Sequence, residues 1–265
     1  MSAIPLRVMT LNLYSPEHAD WERRRPVLRD GLAAWRPDII ALQEYDGAAD
    51  LLGPGYHLAH HSRRSDNGVG AALASRWPIT MVSEIDLHVS GRVDLPWSAA
   101  VVAEVDAPFG PLAVVHHKPA YQYGYAAERE EQAVLCAQIV EERFAGRYPH
   151  VILAGDFDDT PDSASVRFWT GRQSLKQVSV AYRDAWEAVH PDDPGHTFTP
   201  ANPLVREGEM PLEIGRRIDY VMVRCGTHGP SLKVADCRLA FDEPVGGVWA
   251  TDHFGVVADL LAPAG

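Results

Sequence analysis

Lysine is nearly missing from this chain. Lys118, Lys176 and Lys233 are the only three in 265 residues, and Asp plus Glu outnumber Lys plus Arg by 36 to 24, for a net charge of −12. Non-specific duplex binding rests on many cationic phosphate contacts, so a broad basic face is not expected, although a local arginine cluster stays open. Cysteine is as scarce: Cys136, Cys225 and Cys237 have no CxxC spacing, which argues against a disulfide framework and a thiolate zinc site. A reducing, cytoplasmic setting is the default expectation. No apolar run approaches a membrane span, and no charged segment followed by a long apolar one marks a signal peptide at the start. Gly/Ser linkers, low-complexity tracts and repeats are lacking as well, so residues 1–265 read as one domain, with no protein partner expected and a monomeric state.

What is present is a succession of short apolar runs punctuated by Gly and Pro, with 46% hydrophobic residues to fill a core. Leu6 to Leu13 and Ile39 to Glu44 read as strands flanking a helix from Glu22 to Trp35. Strands follow at Val69 to Ala74, Ile79 to Leu87, Ala99 to Val105 and Leu112 to His117. A long helix spans Ala126 to Phe144, and shorter helical patterns occupy Pro161 to Trp169 and Tyr182 to Val189. A strand opens at Val151, and three more lie near Ile218 to Val223, Ser231 to Leu239 and Phe254 to Leu260. Single helices among many strands favour two stacked sheets with helices outside over a purely parallel arrangement.

Several of these strands stop at a polar group suited to metal or phosphate chemistry. The densest case is Val151-Ile152-Leu153-Ala154-Gly155-Asp156-Phe157-Asp158-Asp159-Thr160-Pro161. Two readings stand for it: carboxylates delivered to hold a cation or a water, or Asp158 or Asp159 capping a helix that starts near Pro161. Recurrence favours the first. Asn12, Glu44, His117, Asp219 and Asp252-His253 occupy equivalent strand ends, and carboxylates, a carboxamide and imidazoles gathered from separate strands form the set that metal-assisted phosphoester hydrolysis needs.

The motifs Thr10-Leu11-Asn12, Leu42-Gln43-Glu44, Ala74-Ser75-Arg76-Trp77-Pro78-Ile79, Val115-His116-His117, Gly155-Asp156-Phe157-Asp158, Arg217-Ile218-Asp219-Tyr220-Val221 and Thr251-Asp252-His253-Phe254 resemble, in order and nearly end to end, the endonuclease/exonuclease/phosphatase family. The resemblance implies an α/β fold, a four-layer α/β/β/α sandwich of two packed mixed β-sheets flanked by helices. It also implies a hydrolase using Mg²⁺ or Mn²⁺. Glu44 would be the main metal ligand, Asn12 would bind the metal through its oxygen or orient its water, and Asp252 would complete the acidic shell. His253 would be general base or phosphate-polarising group with Asp219 fixing its tautomer, His117 would donate to a non-bridging oxygen, and Asp156 would orient the attacking water or contact a second metal.

The chain departs from the family at Asp158, where Asn is usual. A carboxylate cannot donate to phosphate unless protonated, so three readings follow: Asp158 shares a proton with Asp156 or recruits a second cation, it has turned away with another donor substituting, or activity on ordinary diesters is poor; the metal option ranks first. Tyr121 and Tyr123, in the loop after Lys118, could stack a ring of the substrate or merely cover a sheet edge. Arg129 resembles a site-supporting position, and Arg63-Arg64 and Arg92 are candidate phosphate clamps. The loop from Asn202 to Arg216 is long enough for a rim or lid. The expected activity is water attack on a phosphodiester or phosphomonoester, with a small-molecule or lipid-headgroup substrate favoured over duplex DNA and a DNA or RNA nuclease as the alternative. A binding protein that has lost catalysis and a histidine-based zinc hydrolase are the readings from other classes.

Overall fold

A computed structural model describes residues 4–62 and 69–262. One sheet gathers β1 (Ile4–Asn12), β2 (Ile39–Gln43), β3 (His57–His60) and β4 (Ala71–Ser75) with β12 (Lys233–Ala240) and β13 (Gly255–Ala262), in spatial order β12-β13-β1-β2-β4-β3. The other gathers β5 (Ile79–Asp86), β6 (Ala99–Ala107), β7 (Gly110–Lys118), β8 (Val151–Asp156), β10 (Asp219–Gly226) and β11 (Gly229–Pro230), in order β11-β10-β8-β7-β6-β5, with β9 (Tyr182–Asp184) also pairing β10.

Each sheet is antiparallel except for one parallel pair, β1 with β2 and β7 with β8. A parallel pair needs a crossover, which is supplied by α1 (Trp21–Trp35) and α3 (Ala126–Val140). Alternation then sorts the core. Leu6, Val8, Ile39, Ala41, Leu112, Val114, Ile152, Ala154, Val221 and Val256 meet between the sheets. Met9, Leu11, Ile40 and Leu42 pack with Leu28 and Leu32 of α1 on one outer face. On the other, Val115, Val151 and Leu153 pack with Ala133, Ala137 and Val140 of α3. The two mixed sheets are thus covered by helices on both outer faces, as expected.

Some local expectations shift. The helix from Ala126 continues past Val140 as a π-helical turn over Glu141–Ala145, with Phe144 still in the core. The helix expected from Pro161 starts later, as α4 (Ala164–Trp169), because Ser163 accepts from the Val166 amide and fixes the start there. Asp158 and Asp159 therefore cap no helix. Tyr182 to Val189 divides into β9 and α5 (Ala185–Val189), with Asp184 capping the Trp186 amide. The short elements β3, β11, α2 (Ala48–Leu52) and α6 (Pro203–Arg206) carry no pattern long enough to be read from sequence.

Candidate active site

The alternation that fills the inter-sheet core with apolar residues also decides which side chains reach the site. On β7, Leu112 and Val114 point between the sheets, so His116 and Lys118 share that face while His117 faces outward. On β1, β2 and β8 the inward series ends at Asn12, Gln43 and Asp156. A layer of polar side chains lies beneath the site: Gln43 Nε2 donates to Thr10 Oγ1 at 3.2 Å and lies 2.8 Å from His116 Nε2, and His116 Nδ1 is 3.1 Å from His61 Nε2.

Two residues reach the site by leaving the strand conformation. Glu44 and Asp158 have φ of 65° and 54°, left-handed values, and at Glu44 the turn takes the side chain off the parity set by Gln43. Asp and Asn tolerate that region best, so either suits position 158. Between them, Gly155 (φ +153°) brings β8 against β7 so closely that a Cβ would lie 2.1 Å from the His117 carbonyl oxygen.

A cleft of about 270 Å³ opens here, with Glu44, Lys118, Asp156, Asp158, Asp252 and His253 on its walls. Asp219 Oδ2 lies 2.9 Å from His253 Nδ1. Burial opposes a charged His253, but Asp219, Asp252 and Asp156 outweigh it and raise its pKa to about 10, while burial raises that of Asp219. Asn12 Nδ2 donates to Glu44 Oε1 at 2.9 Å and to Asp156 Oδ2 at 3.1 Å. Asp156 is held down at about 2: burial works against its charge, but Lys118 and His253 prevail.

Lys118 is the site residue that sequence reasoning missed. Its Nζ donates to Asp156 Oδ2 at 2.8 Å and to Asp158 Oδ2 at 2.5 Å, with a side chain only 3% exposed. Despite burial, Asp156, Asp158 and Glu44 hold its pKa well above the ordinary range. Asp158, whose amide donates to Asp156 Oδ1 at 3.1 Å, is raised to about 7 by burial and by Asp156. The signal was the two-residue period from Leu112 and Val114. Asp158, expected to recruit a second cation, has the Lys118 ammonium as its charge partner in this structure, shared with Asp156.

Other expected residues lie elsewhere. His117 packs edge-on against Phe157 and Trp169 (ring centroids 5.0 and 5.7 Å) in the outer core, where burial lowers its pKa to about 3. It cannot reach a phosphate in the cleft, because an odd-numbered β7 residue faces the helices. The Asn12 side-chain oxygen accepts from the Tyr14 amide at 2.9 Å, so its amide nitrogen, not its oxygen, faces the acids. Arg129 is buried scaffold rather than a substrate contact: it pairs with Asp159 at 3.1 Å and donates to the carbonyls of Ala120 and Gln122. Tyr121 borders the cleft, whereas Tyr123 stands at its rim, donating to Glu213 at 2.8 Å beneath the Arg216 guanidinium. Arg92 pairs with Glu128 at 3.1 Å, and Arg63-Arg64 lie outside the described residues.

The donor set suits a hard divalent cation. Glu44 and Asp252 share the cleft and offer hard oxygen donors, and burial, against the pull of His253 and with the help of Glu44, raises Asp252 to about 7. Asp156, Asp219 and His253 form a second buried group whose ligating atoms lie within 4.8 Å of one another.

Two packed mixed sheets with acids and an Asp–His pair at their open end define a class of phosphoester hydrolases, and the comparisons agree. Residues 9–253 match the Endonuclease/Exonuclease/phosphatase family, and the chain belongs to it. Members of this family hydrolyse phosphoesters and depend on a divalent metal. The chain is 26% identical over 290 residues to Sphingomyelin phosphodiesterase 2 of Homo sapiens, covering 98% of this chain but 65% of that protein. Among solved structures, D. rerio TDP2 complexed with a single-strand DNA product superposes with a TM-score of 0.77 at 19% identity, covering 97% of this chain and 98% of that one. The human Nocturnin catalytic domain with bound sulfate gives 0.72 at 21%, covering 97% and 94%. These two share the fold. No helix among the described residues is long and apolar enough to cross a membrane.

Proposed function

We propose that this protein is a divalent-metal-dependent phosphodiesterase acting on a small or lipid-headgroup diester. The observation that carries the reading is the convergence of Glu44, Asp156, Asp252 and the Asp219–His253 pair on one cleft. Glu44 and Asp252 would hold Mg²⁺ or Mn²⁺, which when bound supplies charge neutralisation for the phosphate. Asn12 donates to Glu44 and Asp156 and fixes both. Asp156 stays ionised and orients the attacking water, accepting its proton. His253 is favoured as imidazolium by the acids around it, which supports its phosphate-polarising role over that of base: Nδ1–H is held by Asp219 and Nε2–H is left for a substrate oxygen.

The rim of the cleft bears on substrate size. Leu212 and Ile214 are 91% and 88% exposed on either side of Glu213, whose carboxylate accepts from the Ile214 and Gly215 amides, Arg216 and Tyr123. An anchored apolar edge beside the cleft, a net charge of −12 and the likeness to a sphingomyelin phosphodiesterase all favour a lipid-type headgroup over duplex DNA. The test is a panel of bis(p-nitrophenyl) phosphate, p-nitrophenyl phosphate, p-nitrophenylphosphorylcholine, sphingomyelin micelles and plasmid DNA, with Mg²⁺, Mn²⁺ or chelator. Diester and choline-ester turnover without plasmid nicking is expected; nicking that outruns every small ester would move the substrate to nucleic acid.

A further inference from the structure

We propose that Lys118 is the phosphate-contacting cation of this site, its Nζ held ready between Asp156 and Asp158 and giving its remaining N–H to a non-bridging oxygen of the bound ester. The assignment rests on the phosphoesterase reading and adds the residue that makes the cleft hospitable to an anion. An ammonium has three donors, and Asp156 and Asp158 account for two of them, at 2.8 and 2.5 Å. Lys118 lines the cleft together with His253 and Tyr121, where an entering phosphate would lie.

Among the described residues near the cleft, Arg216, Arg24 and His253 already have protein partners, while the His18 ring, stacked on Tyr14, also lines it. Arg216 donates from Nε to Glu213 at 2.8 Å and lies over the rings of Tyr123 and Phe198. Arg24 spends its guanidinium on the carbonyls of Leu13, Tyr14, Ser15, His18 and Ala250. His253 commits Nδ1 to Asp219. Lys118 thus joins His253 Nε2 as a donor with capacity left for the substrate, on an otherwise acidic floor of Glu44, Asp156, Asp158 and Asp252.

The Lys–Asp pair also gives Asp158 a function. A carboxylate there would repel phosphate if it stood alone, but bonded to Nζ it acts as a counter-ion that positions the ammonium, and its own amide is tied to Asp156 Oδ1. When phosphate oxygens approach, they share with Asp158 the attraction of the same charge. Asp158 is a positioning residue, Lys118 the contacting one.

Removing Lys118 alone would leave two buried carboxylates unanswered, so the test pairs Lys118→Met with Lys118→Met/Asp158→Asn, which removes the charge on both sides. Affinity for inorganic phosphate is measured by titration calorimetry in Mg²⁺, beside kcat and KM on bis(p-nitrophenyl) phosphate. Loss of a preorganised donor to the developing charge should cut kcat/KM of the double variant about 10²–10³-fold, and phosphate affinity should fall roughly tenfold or more with the lost charge-assisted bond. Asp158→Asn alone should tighten phosphate binding. Wild-type phosphate affinity and kcat/KM in a folded double variant, beside an active wild type, would overturn the Lys118 assignment. Wild-type protein inert on every ester in the panel would instead take down the phosphoesterase reading.

Discussion

His116, His117 and Lys118 are consecutive on β7 and do three different jobs because a strand alternates. His116 joins the polar layer between the sheets, His117 sits among aromatic rings under α4, and Lys118 enters the cleft. His117→Phe should therefore leave kcat/KM on a generic diester within about threefold of wild type, while His253→Ala should lower it by roughly 10²–10⁴. Steady-state assays of the two variants side by side check this; a collapse in His117→Phe with an unchanged fold would return His117 to the site. The polar strand ends Asn12, Glu44, Asp156, Asp219, Asp252 and His253 were legible as a set, since each follows or precedes an apolar run that had to be buried, but His117 was read into the same set and faces the helices instead. Lys118 was not, because a lysine at a strand end reads as solvated until the two-residue period is followed inward from Val114. The left-handed turns at Glu44 and Asp158 were equally hidden, as no local residue pattern announces them.

At the scale of elements, the site depends on how closely β7 and β8 approach at their ends. His116 pairs with Ala154, and one residue further on only a hydrogen at Gly155 fits beneath the His117 carbonyl. Gly155→Ala should cost about 2–4 kcal/mol through strained backbone and overpacking, read as a lower urea midpoint with an unchanged slope. A variant as stable as wild type would show that β8 can slide away from β7 at no cost. The strands and the two crossover helices were readable from apolar periodicity, whereas the parallel pairing across those helices appears only in the folded sheets. The start of α4 was misplaced because Pro161 is a permissive first-turn residue, whereas the cap that fixes the helix is Ser163. Elements of two to four residues, such as β3, β9 and β11, are too short to carry a periodic pattern and exist through pairing with longer strands.

For the molecule as a whole, burial of neutral imidazoles sets an acid limit. Burial lowers His61 and His117 to about 3 and His116 well below its usual value. The unfolded chain takes up protons at these rings near pH 6.5 while the folded one refuses them. Their stability contribution is therefore complete above that pH and is lost as pH falls toward the folded values. His253 has the opposite sign, its contribution being present below pH 6.5 and lost as pH rises through about 10. Comparing metal-free wild type with His117→Phe isolates one ring: between pH 7.5 and 5 the wild type should lose about 2 kcal/mol more than the variant. Parallel pH profiles from urea unfolding would mean that His117 titrates normally in the folded state.

The four-layer arrangement was foreseeable from single helices among many strands, while the paired use of Lys118 and Asp158 was not, since it depends on two strands that meet only in the folded molecule. The central claim is that this acidic cleft becomes a phosphodiesterase site when a divalent cation joins the Asp219–His253 pair. Its most direct test is hydrolysis of bis(p-nitrophenyl) phosphate by chelator-stripped protein, with and without added Mg²⁺ or Mn²⁺, beside Glu44→Ala. Turnover that returns with metal in the wild type and falls at least about 100-fold in Glu44→Ala is expected. Metal-independent turnover, or equal turnover in the two proteins, would contradict it.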